Sequence, residues 1–217
     1  MSNLHFSEEM VLSKLSILKV DKSSGPDMIH PRVLKELSQT LSKPVSILFN
    51  RSLEDSELPE DWKVSHVAAI HKKGSKSNLG NYRPISLTSI VCKTMESILR
   101  DHIMKHFKEN NLFSKNQYGF VTGRSTVLQL LNILDKWTAA LEEGGCIDAI
   151  YTDFEKAFDK VPHRRLLSKL KSYGISEDIR AWIEKFLCNR KQRVKIKDKF
   201  SEWFKVLSGI PQGSVLG

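Results

Sequence analysis

"CIDAIYTDFEKAFDKVPH", residues 146–163, is the stretch on which the fold turns. It follows a Gly144-Gly145 break, and alternation from Cys146 to Asp153 would put Ile147, Ala149, Tyr151 and Asp153 on one face of a strand. No other segment reads so well as a central strand. Asp153 falls at its carboxyl end, where a carboxylate meets solvent, and two roles suit it. It can bind a divalent cation, because Mg²⁺ takes one or two carboxylates together with substrate phosphates. A second carboxylate from elsewhere would then complete a two-metal site for phosphoryl transfer. The commoner role is to accept hydrogen bonds from the helix start that follows. Asp159, next to Phe158, reads as a helix cap.

Working outward, helices and strands mix irregularly, so the chain is expected to be α+β rather than a βαβ repeat. Met10, Val11, Leu15 and Leu18 recur at helical spacing behind Ser7 and Glu8. Gly25-Pro26 ends that segment. A second helix is predicted from Pro31 through Val33, Leu34, Leu37 and Leu41, and "KPVSILFNRSLED" makes a third. Val64, Val67, Ala69 and Ile70 predict a strand, and the polar "GSKSNLGNYRP" turns the chain back. Amphipathic helices are predicted over 88–110 and 125–143. Two more run through Leu166, Leu167 and Leu170 and through Ile179, Trp182, Ile183 and Phe186. "QRVKIKDKFSEWFKVL" reads as a hairpin, Val194 and Ile196 being answered by Phe204 and Val206.

A 217-residue chain with 40% hydrophobic and 27% charged residues can bury one sizeable core. Its formal charge of +9 is unevenly spread. Six basic residues and no acidic one lie between Trp62 and Met95, and seven lie between Lys185 and Lys199 against Asp198 alone. Such one-sided stretches suit a nucleic-acid partner. Cys92, Cys146 and Cys188 are scattered without a Cys-x-x-Cys, which argues against a disulfide frame and a zinc cage. The first residues lack the layout of a signal peptide, and no apolar run reaches the ~18 residues of a membrane span. An intracellular protein, of the cytoplasm or nucleus and with no membrane partner, is therefore expected. His102 and His106 are one helical turn apart but lack a third ligand, so they read as surface residues. The four tryptophans read as packing. Lys72, Lys73 and Arg83 flank a glycine-bearing turn and either hold phosphate or are simply solvated.

Five stretches, in order, resemble the reverse transcriptases, most closely those of non-LTR retrotransposons: "KSSGPDMI", "WKVSHVAAIHKKGSKSNLGNYRPISLTSIVCKTMESIL", "NQYGFVTGRSTVLQLL", "YTDFEKAFDKVPH" and "SGIPQGSVLG". They run colinearly from about Lys22 to Gly217. The resemblance implies a right-hand polymerase fold with three parts: an N-terminal helical extension over 1–60, fingers over 61–145 and a partial palm over 146–217, with no thumb. It implies that Asp153 is the first metal-binding aspartate of the palm, that the Phe154 carbonyl also faces the metal, and that Mg²⁺ is the cofactor. Phe158 matches the aromatic gate that rejects a 2′-hydroxyl. Lys72 or Lys73, with Arg83, match positions that hold the incoming triphosphate, and Gln212 with Gly213 match the loop packed near nucleotide and template. The implied partners are an RNA template, a DNA primer and deoxynucleoside triphosphates.

One departure is large. The family carries an Asp-Asp pair downstream of the "PQG" loop, and this chain has no Asp-Asp dipeptide. The expectation is a truncated reverse transcriptase domain, inactive alone. A non-catalytic nucleic-acid-binding relic of a retroelement is the alternative, and an RNA-synthesising palm enzyme is disfavoured by Phe158.

Overall fold

Ser7 starts the first helix as its sequence suggests. Its hydroxyl accepts the Met10 N–H at 3.3 Å, opening α1 (Glu8–Ser16) with Glu8 and Glu9 in the first turn, where the helix dipole favours them. Pro31 opens α2 (Pro31–Glu36) at the position where a missing N–H costs nothing. The helix predicted to continue through Leu41 instead breaks at Leu37 and resumes as α3 (Ser38–Glu54), with Pro44 inside it. The computed structural model describes residues 1 and 3–217. Two units are distinguished, residues 1–106 with 156–217, and residues 107–155.

In the larger unit, α1 and α3 pack beside α7 (Glu177–Leu187) around Phe6, Val11, Leu15, Phe49, Trp62, Ile179, Trp182 and Phe186, all buried. The Asn50 amide clamps the Phe6 backbone, donating to its carbonyl and accepting its N–H, both at 2.9 Å. Trp182 is fully buried, lies parallel to Phe186 at 5.4 Å between ring centres, and donates its indole N–H to Ser52 at 3.0 Å. The α3–α7 contact thereby joins residues 130 apart in the chain.

The sheet has five strands in the order β2-β1-β3-β4, with β5 also on β3. β1 (Val64–His71) runs antiparallel to β2 (Tyr82–Leu87) and parallel to β3 (Lys191–Ile196), and β4 (Lys199–Phe200) and β5 (Phe204–Lys205) return along β3. The predicted hairpin therefore forms, but in two pieces. Between them Ser201 exchanges bonds with Val194 through both its N–H and its hydroxyl. α4 (Ile90–Glu109) follows β2 and buries Val91, Cys92, Met95, Ile98 and Leu99. α6 (His163–Ser172) precedes α7.

The smaller unit contains α5 (Thr126–Glu142), capped by Ser125 and closed by Gly144 at φ +76°. Ahead of it the Arg124 guanidinium donates to the Ser114, Lys115 and Gln117 carbonyls and gathers that loop. No residue of α5 is buried. The strand expected over 146–153 does not form. These residues belong to no ladder, and Ile150 and Tyr151 are each 88% exposed. Alternation is a local property, whereas a strand exists only when a neighbour pairs its backbone groups. Among the described residues no helix is long and apolar enough to cross a membrane.

Candidate nucleotide and nucleic-acid site

The β1–β2 turn is cross-braced. His71 Nε2 meets the Gly74 carbonyl at 3.0 Å, the Lys72 N–H donates to Asn81 at 2.8 Å, and the Asn81 amide and Tyr82 hydroxyl donate to Ser75 and Lys76 carbonyls. Gly74, at φ +80°, takes the one position in this turn that a side chain would strain. Lys72, Lys73 and Lys76 project exposed from this frame. Arg83 sits opposite Ile70, also exposed, and alternation sends its side chain to the face away from Pro84 and Ser86.

Two loops close on each other beside β2. The Ile210 N–H donates to the Phe158 carbonyl at 2.9 Å and the Gly209 N–H to Val161 at 3.1 Å, while the His163 ring meets the Gly209 carbonyl at 2.7 Å. Gly209 has φ +79°, and a Cβ there would lie 2.6 Å from the Asp159 carbonyl oxygen. Asp159 caps no helix, since α6 begins only at His163. It closes a turn on the Lys156 carbonyl, and its own carbonyl accepts the Ser208 hydroxyl. One residue past Pro211, the Gln212 carbonyl accepts the Ser86 N–H at 2.7 Å, so the loop runs along the outer edge of β2. Gly213, at φ +110°, fits there because a Cβ would meet the Ser86 oxygen at 3.0 Å. Between loop and sheet opens a cleft of about 330 Å³, walled by Ser65, Ser86, Asp159, Gln192, Lys205 and Gln212.

Beneath the loop lies a carboxylate that pattern reading passed over. Glu96, fully buried on α4, accepts the Val215 N–H at 2.8 Å and the Leu216 N–H at 3.1 Å on one oxygen. Burial pushes its pKa up, against those two N–H groups and the nearby charges of Arg190 and Lys93. Arg190, 2% exposed, donates to the Trp62 and Phe186 carbonyls, and burial pulls its pKa down. Cys92 shares this interior, where burial and then Glu96 raise its thiol well above the usual range.

Asp153 and Phe154 are placed otherwise. Both lie in the irregular, exposed segment of the smaller unit. Among the described residues no three His, Cys, Asp or Glu side chains form a metal-binding group.

Residues 70–217 match the family described as reverse transcriptase (RNA-dependent DNA polymerase). The chain belongs to the reverse transcriptase family. It is 29% identical over 216 residues to a probable RNA-directed DNA polymerase from transposon BS of Drosophila melanogaster, covering 96% of this chain and 23% of that protein. It is 28% identical to the RNA-directed DNA polymerase from mobile element jockey of the same fly, with the same coverage. A retrovirus-related Pol polyprotein from type-1 retrotransposable element R1 of Bradysia coprophila is 26% identical over 92% of this chain and 19% of its own length. The chain thus spans less than a quarter of the length of the curated relatives it matches.

Within this reverse transcriptase domain, the two basic stretches are less open than they look in sequence. Lys63 pairs with Glu60 at 2.8 Å, just outside the window that holds no acid, and Lys93 is partly buried near Glu96. In the second stretch Arg190 is internal. Arg193 lies over Phe200 at 4.0 Å and Trp203 at 4.5 Å and reaches His66 at 3.1 Å. Trp62 and Trp182 are core residues, as expected, whereas Trp137 and Trp203 stay 37% and 41% exposed. His106 meets the Tyr173 carbonyl at 2.8 Å.

Proposed function

We propose that this chain supplies the N-terminal extension (1–60), fingers (61–145) and partial palm (146–217) of a non-LTR retrotransposon RNA-directed DNA polymerase. Such an enzyme adds deoxynucleotides to a primer 3′-hydroxyl along an RNA template. The observation that carries this reading is the docking of residues 208–213 onto both the Phe158–Val161 loop and the β2 edge, in a chain whose residues 70–217 match the family. That arrangement supports a nucleotide site in which Gln212 and Gly213 flank the incoming base and the Phe158 ring lies under the sugar, where a 2′-hydroxyl would clash. Lys72, Lys73 and Arg83 would offset charge on the triphosphate. The exposed lysines would follow template and primer backbone.

Asp153, with the Phe154 carbonyl, would contribute to a Mg²⁺ site. Among the described residues no group of three or more His, Cys, Asp or Glu side chains gathers around it. The alternative is that this chain binds nucleic acid without catalysing extension, and the exposed turn lysines suit that binding. Primer extension on an RNA template decides between the readings. The complete element protein should extend, Asp153→Asn should abolish extension, and Phe158→Val should admit ribonucleotides. Full activity of the Asp153→Asn enzyme would overturn the assignment, and extension by the 217-residue chain would overturn the binding-only alternative.

A further inference from the structure

We infer that Glu96 is a positioning residue: its carboxylate holds the 210–217 loop by the backbone and so fixes where Gln212 meets β2. The loop has neither helix nor strand to set its place, and its register rests on few bonds. At one end the Ser86 N–H holds the Gln212 carbonyl at 2.7 Å. Three and four residues on, one oxygen of Glu96 receives the Val215 and Leu216 N–H groups at 2.8 and 3.1 Å. Gln212 and Gly213 are therefore held from both sides. Glu96 is 0% exposed, and taking a carboxylate out of water costs several kcal/mol unless hydrogen bonds and charge compensate. An apolar residue would fill the same space on α4 without that cost. What it could not do is accept two consecutive N–H groups from a segment with no other ladder. Arg190 and Lys93 supply compensating positive charge from β3's approach and from α4 itself, while the second Glu96 oxygen has no hydrogen-bond partner among the described residues.

The consequence for nucleotide binding rests on the function proposed above. The test does not. Amide exchange is read residue by residue in the 217-residue chain for wild type, Glu96→Met and Glu96→Gln. Methionine keeps the volume and removes the acceptor, and glutamine keeps an acceptor oxygen. In Glu96→Met, Val215 and Leu216 should exchange at least ~tenfold faster, since both N–H groups lose their acceptor. The Ser86 amide, which Glu96 does not touch, should lose protection with them, while α3 and α7 keep theirs. Glutamine should restore Ser86 to within about threefold of wild type. Unchanged Ser86 exchange in Glu96→Met would overturn the inference, because Gln212 would then be placed without Glu96. Uniform loss of protection across α3 and α7 would overturn it too, marking Glu96 as a general stability residue. A chain without polymerase activity leaves the exchange result standing.

Discussion

Gly209→Ala tests the junction between the two loops. A side chain there must hold φ +79° and place a Cβ 2.6 Å from the Asp159 carbonyl oxygen and 2.7 Å from its carbon atoms. The left-handed conformation costs an L-residue about 1–2 kcal/mol. The contact is roughly 1 Å inside the ordinary separation of non-bonded atoms, and the obstacle is backbone, so it cannot swing aside. If the loops part to relieve it, the bonds from Ile210 to Phe158, from Gly209 to Val161 and between His163 and Gly209 go with it. At about 0.5–1.5 kcal/mol each, these amount to some 1.5–4.5 kcal/mol. The substitution therefore costs about 1.5–4.5 kcal/mol if the loops part, limited only by the free energy at which the loop detaches altogether. Amide exchange at Gly209 and Ile210 should therefore rise about tenfold or more. Gly119→Ala is the control: its Cβ would meet nothing within 4 Å, so it should change protection little. If Gly209→Ala leaves both loops within about threefold of wild-type exchange, the loops are not joined in this way, and the cleft between them is not a fixed site.

Trp182→Phe removes the bond to Ser52 and part of the ring stacked on Phe186. It should cost about 2 kcal/mol and lower the melting temperature by roughly 4–8 °C, read by circular dichroism. His66 is buried against Phe200 and Trp203, and burial, then Arg193 and Lys195, holds its pKa below the usual value. A base depressed in the folded state contributes stability above about pH 6.5 that is lost as pH falls through the folded pKa. Urea midpoints should accordingly fall more steeply below that pH in wild type than in His66→Gln; parallel curves would show that His66 is not the group responsible. Replacing Lys72, Lys73 and Lys76 by alanine should lower the salt dependence of single-strand binding by about 2 in log–log slope, measured by filter binding at several salt concentrations. Lys63→Ala should leave that slope nearly unchanged, because Lys63 is already paired with Glu60.

Much of the fold is legible in sequence where a signal is local. Ser7, Pro31 and Ser125 announce helix starts, the apolar spacing of α4, α6 and α7 gives their faces, and the polar stretch after Ile70 gives the β1–β2 turn. The candidate site residues Gln212, Gly213 and Phe158 are legible only through resemblance, and their juxtaposition is not legible at all. Ser86, Val161 and Asp159 receive or supply the bonds that bring them together; the first two carry no pattern of their own, and Asp159 reads as a helix cap it does not make.

The family, the order of its motifs and the faces of its helices follow from residue identity and short spacing alone. Tertiary structure decided the rest. Residues 146–153 alternate like a strand and pair with nothing, because a ladder needs a neighbour that alternation cannot supply. Glu96 carries no signal in the sequence, yet it lies inside, because only the fold brings the Val215 and Leu216 N–H groups to it from 119 and 120 residues away. Arg190 and Arg193 read as open cations, and packing against Phe186, Phe200 and Trp203 removes them from the surface charge that an acidic partner would meet.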